Sequence, residues 1–300
     1  MTATKWRKLG LVIRPGGREW MRSHAMVPVA QPRGDVVRVY FSGRDASNRS
    51  LVGWAELDGD DLTRVVRWAE RPALGLGRLG CFDDNGVTPS WIVEDGLRTL
   101  LYYIGWNQGS TVRMALVAGL AVSTDGGDTF ERAQPVPILD RTPLEPYTLN
   151  TAPCVLREGA AWRMWYVGGV EWVHRDLPRY NIRYAESSDG IAWRRDGRVA
   201  IDFAGTHEHA LARPCVVKDG DRYRMWFAHK GDAYRLGYAE SSDGLTWERR
   251  DVDAGLDVSA EGWDSEMVEY ACVFSHRGAR YMLYNGNDYG RGGAGLAVAE

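Results

Sequence analysis

Apolar and polar residues alternate through most of the chain, in runs of five to ten positions broken by Gly, Asp, Asn and Pro. Three runs share one design: Arg183-Tyr184-Ala185-Glu186-Ser187-Ser188-Asp189-Gly190-Ile191-Ala192-Trp193, Leu236-Gly237-Tyr238-Ala239-Glu240-Ser241-Ser242-Asp243-Gly244-Leu245-Thr246-Trp247, and the looser Leu120-Ala121-Val122-Ser123-Thr124-Asp125-Gly126-Gly127-Asp128-Thr129-Phe130. Alternation with period two predicts half-buried strands, and Asp-Gly between two such strands predicts a tight hairpin. A hairpin that recurs at long, fairly regular spacing predicts a repeat architecture. Helical periodicity is absent.

Five units follow, each with four candidate strands, over residues 20–75, 82–140, 147–202, 207–258 and 263–300. The last stops early, at Gly295-Leu296-Ala297-Val298-Ala299-Glu300. Residues 5–13 supply an orphan strand whose Trp6-Arg7-Lys8 matches Trp193-Arg194-Arg195 and Trp247-Glu248-Arg249. The expectation is an all-β chain forming one domain over residues 1–300, a five-bladed β-propeller whose ring is closed by the N-terminal strand completing the last blade. Closure would remove exposed sheet edges. A β-sandwich is the alternative, and it leaves the matching termini unexplained.

Composition narrows the function. The formal charge of −3 argues against a nucleic-acid partner. No apolar run of 18 residues predicts a membrane span. No apolar segment follows the first residues, so no secretory leader and a cytoplasmic location are expected. The four cysteines show no metal or redox spacing. Cys154, Cys215 and Cys272 each precede Val at one repeat position and read as small buried residues.

Aligned on the innermost strand, Pro28, Pro89, Pro153, Pro214 and Ala271 share one position, a few residues before Gly34, Gly96, Gly159, Gly220 and Gly278. Residues just before it should converge on the axis: one back, Val27, Thr88, Ala152, Arg213 and Tyr270; two back, Met26, Val87, Thr151, Ala212 and Glu269; five back, Ser23, Asp84, Thr148, His209 and Glu266. Repeated residues such as Asp125, Asp189, Asp243, Glu186 and Glu240 read as structural. Polar residues that differ between units read as site candidates. Second-to-third-strand loops reach the same mouth: 44–49, 106–108, 168–176, 229–232 and 285–291. Their amides, charges and aromatic rings suit a sugar.

The Asp-Gly hairpins, the second strands Arg163-Met164-Trp165-Tyr166 and Arg224-Met225-Trp226-Phe227, and the five-unit count resemble the five-bladed propeller glycosidases, glycoside hydrolase families 32, 43, 62, 68, 130 and relatives. The resemblance spans essentially the whole chain. It implies a glycoside hydrolase acting on a small saccharide or glycoside, with carboxylates as acid and base and no cofactor. The family-43 pattern places an Asp base directly before the first Pro, where this chain has Val27.

Three carboxylates are therefore the catalytic candidates: Glu269, whose apolar flanks should raise its pKa and make it the acid, Asp84 as base, and Glu266. Candidate substrate-binding residues are His24, Arg44, Asp83, Asn85, Asn150, Trp172, His174, His209, Arg213, His229 and Tyr270. His207-Glu208-His209 puts two imidazoles on one face of an extended segment, but no third ligand is fixed by spacing, so no metal is assigned. Arg213 beside the histidines would also suit an anion. A sugar phosphorylase and a non-catalytic carbohydrate-binding propeller remain alternatives.

Overall fold

The computed structural model describes residues 4–300 and is all-β apart from short helical turns. After β1 (Trp6–Ile13), the strands β2 (Ser23–Arg33), β3 (Val36–Arg44), β4 (Ser50–Asp58) and β5 (Val65–Trp68) pair as an antiparallel meander. The next is β6 (Gly86–Asp95), β7 (Arg98–Gln108), β8 (Met114–Ser123) and β9 (Glu131–Arg132). Then come β10 (Leu149–Glu158), β11 (Ala161–His174), β12 (Leu177–Ser187) and β13 (Val199–Ile201). β14 (Ala210–Asp219), β15 (Arg222–Lys230), β16 (Tyr234–Ser241) and β17 (Glu248–Arg249) follow. β18 (Glu269–His276), β19 (Ala279–Asn285) and β20 (Ala294–Ala299) end the chain, and β1 pairs antiparallel with β20.

Local chemistry explains the hairpins. The first turn of each meander carries Gly34, Gly96, Gly159, Gly220 or Gly278, all at positive φ, where a side chain would be strained. In the Ser-x-Asp-Gly turns the Asp carboxylate accepts backbone N–H groups ahead of it, as Asp189 does from Ile191 and Ala192 and Asp243 from Leu245 and Thr246. These bonds hold Asp189 and Asp243 below the usual carboxylate range, which marks them as turn formers.

Sixteen strands form one hydrogen-bonded sheet, a path from β17 to β2 with β5, β9 and β13 paired off it, linked between meanders by short parallel pairings such as Ser50 with Gly86 and Tyr180 with Ala210. The path does not close on itself, and β1-β20-β19-β18 is a separate four-stranded sheet. The first strands nevertheless lie side by side in succession, β2, β6, β10, β14, β18, with β18 again against β2. Small side chains stitch them together. Ser90 Oγ donates to the Pro153 carbonyl at 2.7 Å. Cys154 Sγ accepts from Val216 N–H, Cys215 Sγ from Val273 N–H, and Cys272 Sγ from Ala30 N–H. Buried cysteine thus satisfies backbone donors that would otherwise be orphaned.

A second tier repeats further out. Asp83 accepts from Tyr103 Oη (2.8 Å) and Arg132 Nε (2.6 Å). Glu145 does so from Tyr166 Oη and Arg195, Glu208 from His229 and Arg249, and Asp264 from Tyr284 Oη and Lys8. The first meander replaces this trio with rings, Trp20 on Phe41 and Phe41 on Trp68. In the other four, one carboxylate pins an incoming loop to the second strand of its own sheet and to a cation on the outermost strand or, for Arg195, on the loop leading to it.

Candidate active site

Every first strand breaks register around its shared position: between Met26 and Val29, Pro89 and Trp91, Thr151 and Cys154, Ala212 and Cys215, and Glu269 and Cys272. Such bulges re-aim side chains. At four of them a non-glycine residue takes positive φ: Val27 (52°), Ala152 (48°), Arg213 (51°) and Tyr270 (56°). Each costs about 1–3 kcal/mol, strain of a kind that clusters at functional sites. These four, with Thr88, line one central cavity of about 490 Å³, the size of a small-molecule site. All five second-to-third-strand loops reach it, through Arg44 and Asn48, Trp106 to Gln108, Asp176, Lys230 and Tyr289.

The wall is cationic. Arg44, Arg113, Arg213 and Lys230 line it, with His209, and the one lining carboxylate is Asp176. Arg213 is 1% exposed; its guanidinium donates to the carbonyls of Pro28 (3.1 Å) and Pro214 (3.4 Å), and its Nε has no partner. Trp106 Nε1 and Thr151 Oγ1, both on the wall, are also buried without a partner, and so is the amide of Asn150 behind it. Buried polar atoms without partners are uncommon in proteins and cluster here around one cavity.

Glu269 is fully buried, and no hydrogen-bond partner reaches either carboxylate oxygen. Burial pushes its carboxyl well above the usual range, while Tyr270 and Lys230 act the other way. Its carboxylate in turn raises the pKa values of Tyr180, Tyr234 and Tyr270, after burial the cause these three share, and all three hydroxyl-bearing side chains line the cavity. Tyr180 and Tyr234 share a 2.8 Å hydrogen bond. Burial therefore favours the neutral carboxyl at Glu269, directly behind a tyrosine wall.

Of the residues expected from the sequence, Arg44, Asn85, His209, Arg213 and Tyr270 line the cavity. Asp83 is held in its trio with Tyr103 and Arg132, behind the wall. Asp84 is half-buried and accepts from Gly80 N–H and from Asn107 Nδ2, a lining residue. Glu266 is exposed, away from Glu269 on the same loop. His24 is buried against Ser23 Oγ (2.8 Å), and burial, with Arg44 and Arg291 nearby, lowers its pKa to about 4. Trp172 is half-buried and His174 exposed on the β11–β12 hairpin, whose Asp176 does reach the cavity. His229 turns to Glu208 at 3.0 Å and lines a separate open depression with His207, Asp232 and Arg235. Among the described residues, no group of three or more His, Cys, Asp or Glu is placed to hold a metal ion. No helix among them is long and apolar enough to cross a membrane.

Two uncharacterized proteins of Mycobacterium tuberculosis, MT1551 of strain CDC 1551 / Oshkosh and Rv1502 of strain ATCC 25618 / H37Rv, are each 45% identical to this chain over 298 residues, 98% of this chain and 99% of theirs. The chain belongs to their family. No protein-family model matches it. Among solved structures, one described as a glycoside hydrolase superposes with a TM-score of 0.75 at 20% identity, covering 99% of this chain and 92% of its own. A thermostable family-43 glycoside hydrolase gives 0.66 at 16%, over 96% and 91%. The Bombyx mori GH32 β-fructofuranosidase BmSUC1 gives 0.67 at 15%, over 98% of this chain and 61% of that one. The fold is that of the glycoside hydrolase propellers of the family-32 and family-43 type.

Within that fold this family member differs at one telling point. Val27, where family 43 is expected to place its Asp, does line the cavity, so the position is filled by an apolar side chain. The residues that sequence reasoning passed over are Arg113, Tyr180 and Tyr234, whereas Asp176 and Lys230 lie on loops expected at the mouth without having been singled out. The first three come from second- and third-strand ends, which no repeat signal aligns. The arrangement can bind a polar ligand through cations and tyrosine hydroxyls.

Proposed function

We propose that the protein is a glycoside-processing enzyme that cleaves a small saccharide or glycoside in the central cavity of a closed five-bladed propeller. The observation that carries the reading is Glu269: a fully buried carboxyl whose pKa burial raises, set behind Tyr270 on the wall of a cavity in a glycoside hydrolase fold. Ring closure is supported by the Cys272 bond to Ala30 and by Asn285, which accepts from Val27 N–H and donates to Ala25 O across the same seam.

The Tyr270 hydroxyl, on the wall, donates its proton to the glycosidic oxygen as the C–O bond breaks, and Glu269 behind it replaces that proton. Water adds to the anomeric carbon, and its proton passes to Asp176, the carboxylate on the cavity wall. Asp176 then releases that proton to solvent and Glu269 takes one up, leaving two hydroxyl products and the enzyme in its starting state. Catalytic hydrogen bonds often tighten only when substrate is bound. Asp84, with both oxygens already accepting hydrogen bonds, holds the Asn107 amide rather than a water.

Release of reducing ends from a panel of oligosaccharides and aryl glycosides tests this. Wild type should turn over at least one substrate, and Glu269→Gln should lose about 100-fold or more, the ordinary contribution of a positioned acid. Asp176→Asn should also lose activity, and Asp84→Asn should keep it. Full turnover by Glu269→Gln would refute the assignment. A second reading, sugar capture without cleavage, is favoured by the single lining carboxylate; saturable binding with no turnover of any panel member would select it.

A further inference from the structure

We infer that the cavity takes a saccharide that carries an oxyanion, a carboxylate or a phosphate, seated among Arg44, Arg113, Arg213 and Lys230. This rests on the saccharide reading above and adds the charge of the substrate.

Charge bookkeeping around the cavity leads there. None of the four cations makes an ion pair within 4 Å among the described residues, whereas arginines elsewhere on the surface and between sheets are routinely paired. Arg44 donates only to Asn48 Oδ1 at 3.1 Å. Lys230 is held by aromatic groups: it donates to Tyr289 Oη at 3.0 Å and lies over the rings of Tyr234 and Tyr289. Arg213 is buried over the Trp91 ring and bonded to two carbonyls, with Nε unused.

A buried cation without a counter-ion is costly, and a fold that strains Arg213 to φ 51° to place it there needs a return. A guanidinium offers paired donors that fit the two oxygens of a carboxylate or phosphate. Three further cations around it would focus an anion into the cavity, although the whole chain is net negative at −3.

Isothermal titration of the full chain tests the inference with defined probes: glucose and galactose, their uronic acids, glucose 1-phosphate, and inorganic phosphate alone and together with the neutral sugars. The expected result is binding of a uronate or the sugar phosphate about tenfold or more tighter than the neutral parent, one charge-assisted contact's worth. The advantage should shrink with added salt and vanish in Arg213→Gln, and, if that variant folds poorly, in Arg113→Gln, which sits on the wall. Inorganic phosphate that binds and tightens a neutral sugar would locate the oxyanion on a separate co-substrate and also supports the site. Neutral sugars binding as well as their charged counterparts, or no anion binding at all, overturn the inference while leaving saccharide processing intact. Phosphate binding with no sugar of any charge bound would keep the anion site and remove the saccharide reading.

Discussion

Glu269→Gln should make the protein more stable at high pH. The wild-type carboxyl is fully buried without a partner, and burial raises its pKa above the ordinary 4.5. Above pH 4.5 the unfolded chain releases this proton while the native chain keeps it. Linkage then takes stability away as pH rises, by about 1.4 kcal/mol per pH unit, until the folded pKa is reached. Below 4.5 both states are protonated and the term is absent. For a chain of 300 residues, a melting entropy of about 2.1 cal/mol/K per residue turns that slope into about 2 °C per pH unit. Glutamine has the same shape and no proton to lose. Melting curves of both proteins from pH 4.5 to 8, followed by circular dichroism, should start together and separate, the variant melting higher at every step. Taking the difference removes the other titrating groups. Parallel curves across the whole range would refute the claim that burial raises the Glu269 pKa in the native state.

Arg132→Met should cost about 3–5 kcal/mol in urea unfolding, because it strands the buried Asp83 carboxylate with only Tyr103; a loss under 1 kcal/mol would mean that the trio is not structural. His24 is held neutral with its pKa lowered to about 4, so the unfolded chain takes up a proton below its ordinary 6.5 that the native chain refuses. Stability should fall as pH drops from 6.5 toward 4, by at most about 1.4 kcal/mol per unit, and His24→Gln should flatten that limb in the same melting series.

Sequence alone revealed what repeats. The Ser-x-Asp-Gly turns are legible because their hydrogen bonds are local: Ser187 Oγ, Asp189 and the two following N–H groups lie within a few residues. The cysteine tier and the orphan N-terminal strand were legible for the same reason, since equivalent positions carry equivalent residues. The tier one residue before the shared position was legible through alignment, and Val27, Thr88, Ala152, Arg213 and Tyr270 all line the cavity.

The rest of the site was obscured by parity. On a strand, neighbours point to opposite faces, so an error of one residue exchanges wall for core. His229 and Lys230 are adjacent; the histidine turns outward to Glu208 and the lysine inward to the cavity. Asp83, Asp84 and Asn85 divide likewise among the structural trio, the Asn107 bond and the wall. Charge was hidden too. Net charge is a sum over the whole surface, and only the folded arrangement shows that four unpaired cations share one cavity.

The most direct test of the account is the pH dependence of kcat/KM on whichever glycoside the panel identifies, for wild type and Glu269→Gln. If Glu269 delivers the proton, wild-type activity persists above the ordinary carboxylate range and falls on the alkaline side as its raised pKa is passed. The variant should lose about 100-fold or more, with that limb abolished. A variant with wild-type turnover and the same alkaline limb would show that the proton comes from elsewhere.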